Sequence, residues 1–304
     1  MQTTSRILLI RPVNFQYNPE TAVNNSFQLR EEGAAVQQKA EQEFDTFVRI
    51  LSNEGVEVTV IKDTPDAYTP DSVFPNNWIS FHEDGSVFLY PMFAENRRKE
   101  RKPGILAFIQ SHYPVKEIVD LSFYETKGTF LEGTGSMVLD RENRIAYACA
   151  SPRTHSDLLA EWCKKASYTP HIFHACDARN RDIYHTNVMM CIASGYAVVC
   201  LDAVKDAGER RALLKILEET RKEVISITMG QMEQFAGNML QVHNKAGEKL
   251  LVMSTRAYAS LSSAQLSLLY RWNRIVHAPL YTIERNGGGS ARCMMAEIHL
   301  PPAG

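Results

Sequence analysis

Three side chains suited to joint covalent chemistry lie far apart in the chain: Glu132 in FLEGTGSM, His185 in YHTNVMM and Cys293 in NGGGSARCMM. A thiol supplies a nucleophile, an imidazole a general acid and base, and a carboxylate an anion that orients the imidazole or holds substrate. Each residue type also has a duller and commoner role. Free cysteine is among the most buried residue types, and a single histidine is most often a hydrogen-bonded structural group. Context argues against those roles here. The three glycines Gly287, Gly288 and Gly289 allow the backbone to approach a ligand closely ahead of Cys293, and the neighbouring Arg292 is expected to favour the thiolate. Glu132, expected to begin a strand, stands between Phe130-Leu131 and a glycine turn. By contrast Cys149, Cys191 and Cys200 sit within apolar runs and read as core.

What positions these residues is a repeat. Five times a small or polar residue leads into a short apolar run, starting at Trp78, Met137, Val188, Met239 and Met294, with spacings of 59, 51, 51 and 55 residues. After the first four, a polar turn and a second apolar run follow, which predicts four β-hairpins. Helices are predicted at Glu95–His112, Thr154–Ala166, Asp206–Lys222 and Ser262–Trp272, with Thr154 and Ser262 as caps. Short strands follow them in KEIVDL, HIFHA, EVISIT and IVHAPLYTI. A fifth helix–strand pair, Ala34–Asn53 and VEVTVIK, lies at the opposite end of the chain from the last apolar run. Closure resolves this: the C-terminal strand joins the N-terminal segment to complete a ring of five ββαβ units, an α/β fold in one domain over residues 1–304. A doubly wound sheet suits the hairpins less well. In a ring, the junctions that open each repeat converge on one axis, bringing together Asn77, Glu132, His185, Asn187, Asn238 and Cys293.

Composition narrows the function. The 304 residues carry 33 Lys+Arg against 35 Asp+Glu, a formal charge of −2, which gives no field for nucleic acid or an anionic membrane. No run approaches the roughly 20 apolar residues of a membrane helix. The six cysteines show no CxxC pairing, which suggests reduced thiols and a cytoplasmic setting. No metal-ligand spacing, P-loop or dinucleotide fingerprint is present, so no cofactor or metal is expected.

At these residues the chain resembles the guanidino-group-modifying superfamily, five-bladed α/β propellers that include arginine deiminases, dimethylarginine dimethylaminohydrolases and amidinotransferases. GGGSARCM is similar to its nucleophile loop, FLEGTG to its Leu-Glu-Gly-Gly segment and YHTN to its histidine motif. PDSVFPNNW resembles its Asp-x-x-Phe-x-Glu-Asp segment, and NRRKE its arginine cluster. The resemblance implies that Cys293 attacks the central carbon of a guanidinium or urea-like group. His185 then protonates the departing nitrogen and activates water, while Glu132 orients His185 or holds substrate nitrogens. It further implies that Asp71 contacts the substrate amine or backbone and that Arg97 or Arg98 binds its carboxylate.

The departures carry information. Asn77 and Asn187 stand where relatives place carboxylates, Thr134 replaces a glycine, and Ser136 stands where Asp is usual. A guanidinium is a permanent cation that prefers charged acceptors. Amides remove charge and add N–H donors, which suits a neutral ureido group with its carbonyl. The expectation is therefore a cysteine-dependent hydrolase of a citrulline-like amino acid that releases ammonia, similar to the citrulline-utilisation branch. Arginine or dimethylarginine hydrolysis and amidino transfer are the alternatives within this chemistry. A non-catalytic propeller, like the ribosome anti-association factor of the same fold, is the alternative outside it. The expected partner is a small amino-acid substrate, with a homodimer left open.

Overall fold

Apolar runs of a few residues, interrupted by polar turns, bury fully only when stacked as strands beneath helices. In the computed structural model, which describes residues 1–30 and 35–302, they do so around a ring. The strands are β1 (Arg6–Arg11), β2 (Glu57–Lys62), β3 (Ile79–Phe81), β4 (Ser86–Leu89) and β5 (Glu117–Asp120). The next five are β6 (Val138–Asp140), β7 (Ile145–Cys149), β8 (Thr169–Phe173), β9 (Met190–Ile192) and β10 (Tyr196–Val199). The last five are β11 (Glu223–Ser226), β12 (Leu240–His243), β13 (Lys249–Ser254), β14 (Arg274–Ala278) and β15 (Ala296–Glu297). They form five three-stranded sheets, and the protein is a five-bladed α/β propeller. In each blade the inner strand pairs antiparallel with the middle one, and the middle strand pairs parallel with the outer one across a helical crossover. The ring closes as the sequence predicts: β15 pairs antiparallel with β1, with Ile7 opposite Glu297, and β1 runs parallel to β2.

The crossover helices bury one stripe. In Val36–Asn53 the buried residues Val36, Ala40, Phe44, Phe47 and Leu51 recur at helical spacing and pack with Val252 and Met294. The predicted start at Ala34 lies outside the described residues. Helix Ser156–Ala166 buries Leu158, Leu159, Trp162 and Cys163 in the same way. Its N-cap is His155 without a side-chain bond, not Thr154, whereas Ser262 forms the predicted capping box with Gln265. No helix among the described residues is long and apolar enough to cross a membrane.

Three local predictions need correction. Glu95–His112 is two helices, Glu95–Arg98 and Pro103–His112, because Pro103 has no N–H and forces Lys102 into an extended conformation. The strand in IVHAPLYTI stops at Ala278, before Pro279, and Tyr281–Gly287 is helical. Strands do not begin at the polar junctions either. Single helical turns, at Pro75–Asn77, Gly133–Ser136, Thr186–Met189 and Ala291–Met294, precede the inner strands of four blades. Glu132 is thus the residue before a helical turn, not the start of a strand.

Candidate active site

Each helical turn ends a connection from the outside of one blade and feeds the next inner strand, so the residues at its start face the middle of the ring. Glu132 and His185 are both the N-cap residues of such turns, and Cys293 lies within one. His185 Nε2 lies 2.7 Å from Glu132 Oε2, with both side chains excluded from solvent. Glu132 Oε1 accepts the Phe93 N–H at 2.9 Å, and Arg153 Nη1 stands 3.5 Å from Oε2. Burial works against the Glu132 charge, but Arg153, His185 and Arg97 together hold its carboxyl down at about 2. Burial likewise disfavours charge on His185, and it outweighs Glu132 to leave the imidazole low, at about 4. An ionised Glu132 can only accept, so Nε2 carries the proton and Nδ1 keeps its lone pair. Gly135 makes room for this ring: a Cβ at that position would lie 2.8 Å from Nδ1.

Cys293 is 3% exposed. Its sulfur receives two amide N–H groups, from Asn238 Nδ2 at 3.2 Å and Asn187 Nδ2 at 3.5 Å. Asn238 is itself fixed, since its Oδ1 accepts the Arg292 N–H and its Nδ2 also reaches Asn187 O. These donors favour negative charge on the sulfur. Arg292 does not supply that charge stabilisation as expected from sequence. Its guanidinium turns away to Met295 O and Glu297, each at 2.8 Å, because a buried cation is held by the nearest buried anion.

Cys293 and His185 line one cavity, together with Asp71, Asn77, Arg97 and Arg153. Arg97 is gripped by Glu100 through two nitrogens at 2.9 Å and donates from Nη1 to Asn77 Oδ1 at 2.7 Å. Asn77 Nδ2 and Asp71 Oδ1 are buried without hydrogen-bond partners. Such atoms are costly unless something completes them. Arg98 is placed elsewhere: it donates to Met92 O and Phe93 O and pairs with Glu125, outside the cavity lining. Asn187 and Asn238 touch the sulfur from beside the cavity instead of lining it.

Sequence reading missed two contributors. Arg153 lies over the Tyr184 ring at 5.0 Å, donates to Thr21 O and lines the cavity; a buried arginine in SPRTH carries no signal of its own. The N-terminal segment Asn18–Gln28 covers the site. Asn18 and Thr21 donate to Asp71 Oδ2, and Gln28 donates to Asn286 O. The only available signal was its polar, asparagine-rich composition. Beneath this cover about 10 Å³ remains free, room for about one water. A larger cleft of about 560 Å³ lies on the outer side of the segment, without the thiol or imidazole. Among the described residues no cluster of three or more His, Cys, Asp or Glu is gathered for a metal.

The fold matches known structures. ArgZ without ligand, an arginine dihydrolase from the ornithine-ammonia cycle in cyanobacteria, superposes with a TM-score of 0.76 at 20% identity, over 98% of this chain and 41% of that one. The chain therefore spans about two fifths of full-length ArgZ. The N-terminal domain of ArgZ bound to substrate gives 0.74 at 20% identity, over 96% of this chain and 97% of that domain. The dimethylarginine hydrolase DDAH from Pseudomonas aeruginosa, in complex with citrulline, gives 0.68 at 13% identity, over 97% and 100%. No curated protein sequence matches the chain. A family does match, over residues 11–300, and the chain belongs to it: N,N dimethylarginine dimethylhydrolase, eukaryotic.

Proposed function

We propose that this protein is a cysteine-dependent hydrolase that cleaves a C–N bond of a ureido or guanidino amino acid, with a citrulline-like substrate preferred. Membership of a hydrolase family, the cavity shared by Cys293 and His185, and the Glu132 carboxylate behind His185 support the reaction class. The ureido preference rests on Asn77. Arg97 holds its Oδ1, which leaves Nδ2 buried and unpartnered as a donor. A guanidinium presents donors only, whereas a ureido oxygen accepts.

In this mechanism Cys293 loses its proton to His185 and attacks the ureido carbon, with Asn187 and Asn238 stabilising the thiolate. The imidazolium, balanced by Glu132, returns the proton to the departing ammonia, leaving a thiocarbamate on Cys293. His185 then takes a proton from water, hydroxide displaces the thiolate, and the released carbamate breaks down to carbon dioxide and the amine. Arg153 and Arg97 offer charge for a substrate carboxylate, and Asp71 Oδ1 offers an acceptor for its ammonium. The buried carboxylates Asp71 and Glu132 also favour a second reading, hydrolysis of arginine or dimethylarginine, because a cation suits two anions. Turnover of citrulline compared with arginine tests the preference: faster citrulline is expected, and faster arginine overturns the ureido reading. An amine acceptor that suppresses ammonia release would mark a transferase. Absence of turnover on every guanidino and ureido amino acid would leave a binding protein.

A further inference from the structure

The mechanism leaves several buried carboxylates unused, among them Glu100, Glu297 and Glu284. Glu284, in the helix Tyr281–Gly287, has a side chain with no exposure and lies outside the lining of the catalytic cavity, on the side of the larger cleft that it lines with Arg256. Its Oε1 accepts the Ser290 hydroxyl at 2.7 Å, and its Oε2 lies 2.9 Å from Arg256 Nε. Burial pushes the carboxyl up to about 7, against the pull of Ser254, Ser290 and Arg256, and the Glu43 carboxylate from helix Val36–Asn53 adds to the push. A carboxylate held where it is disfavoured needs a reason for being there.

Ser290 supplies one. It is the N-cap residue of the turn that carries the nucleophile, and its carbonyl accepts the N–H groups of Cys293 at 3.0 Å and Met294 at 3.3 Å. Between Glu284 and Ser290 run three consecutive glycines, of which Gly287 and Gly289 line the cavity. Gly288 has a φ of +63° and packs so tightly that a Cβ would meet Asn25 at 2.5 Å. Glycines carry no side chain to fix this loop, and ordering them costs more backbone entropy than ordering any other residue. The loop's shape is therefore imposed from outside it: Tyr184 Oη donates to Gly288 O at 2.6 Å and Asn25 packs against Gly288, while Glu284 and Ser290 meet across its two ends.

We propose that Glu284 is a positioning residue, which clasps Ser290 across the glycine loop and so holds the Cys293 sulfur against Asn187 and Asn238. Arg256 faces the clasp from the opposite side at 31% side-chain exposure over the Tyr281 ring, and its charge draws on Glu284 from outside the catalytic cavity, although Nε and Oε2 make no hydrogen bond. The role builds on the reading of Cys293 as nucleophile, but it acts on the sulfur whether or not substrate is present.

The test is the pH profile of Cys293 alkylation by iodoacetamide in the full chain, followed by peptide mass, together with kcat and KM on the substrate turned over. Ser290→Ala removes one buried hydroxyl and little volume. Its alkylation midpoint is expected to move up by about one pH unit, equivalent to tenfold less thiolate below the midpoint. Its kcat is expected to fall about tenfold or more, with KM within about twofold. Glu284→Gln keeps one oxygen for Ser290 and should move both readouts the same way by less. An alkylation profile for Ser290→Ala that superimposes on wild type overturns the clasp, even if Glu284→Gln fails to fold. Full activity in Cys293→Ser overturns the nucleophile reading instead, and the alkylation comparison then still decides the clasp.

Discussion

The same cast of residues occurs twice around the Cys293 turn, with opposite outcomes. On one side a glutamate and a histidine, Glu132 and His185, stand 2.7 Å apart beside Arg153. On the other side Glu297 and His299 stand 3.3 Å apart, with Arg292 at 2.8 Å and Arg141 at 3.6 Å. A small second cavity, lined by Asn187, Arg292 and Glu297, lies on that side. Burial lowers both imidazoles to about 4, and arginines hold both carboxyls low in spite of burial. Charge and perturbed titration therefore do not distinguish them. The first cluster opens on a cavity with a thiol and with unpartnered polar atoms on Asp71 and Asn77. In the second, both Glu297 oxygens are occupied by cations or His299, so it reads as a closed electrostatic plug.

Four measurements break or sharpen this contrast. Cys293→Ser should lower turnover by about 10⁴-fold or more, with a thermal midpoint within about 3 °C of wild type because the volume is conserved. Glu297→Gln should do the reverse. Leaving Arg292 and Arg141 without their anion costs about 3–5 kcal/mol in urea unfolding, far more than it costs per folded molecule in activity. Asn77→Asp should raise the arginine-to-citrulline ratio of kcat/KM by about 10- to 100-fold, since it turns the cavity's free donor into an anion. Arg98→Ala, outside the cavity, should change kcat/KM by no more than about twofold.

Acid offers a finer comparison. Both His185 and His299 are neutral in the folded protein down to about pH 4, while an unfolded histidine takes up a proton near 6.5. Between those values the unfolded chain binds more protons, so each imidazole makes stability fall as pH drops from about 6.5 to 4. Glu284, raised to about 7, acts in the opposite sense. Replacing His185 or His299 singly with Gln should therefore reduce acid sensitivity in that window by similar amounts, as read from urea midpoints. A much smaller effect at His299 would mean that the plug admits water and the two sites are not electrostatic equals.

The five-fold repeat was legible because inner strands must be apolar and turns polar, and this alternation recurs every 50 to 60 residues. The junction residues were legible because they interrupt apolar runs with chemistry-bearing types. What escaped was direction. NRRKE offers two adjacent arginines, and only packing sends Arg97 to Glu100 and Asn77 while Arg98 turns to Glu125. Arg292 adjoins Cys293 in sequence yet points at Glu297. Arg153 escaped because its partners, Thr21 and Glu132, come from other segments of the chain.

Sequence alone determined the blades, their order and the closing strand, and it singled out the thiol, imidazole and carboxylate at the blade junctions, because periodicity and residue type are local properties. The tertiary structure decided which polar atoms are satisfied and which are left bare in the cavity. Satisfaction depends on distance and orientation across segments far apart in the chain, 106 residues between Asn187 and Cys293 and 258 between Gln28 and Asn286. No local pattern encodes such a contact.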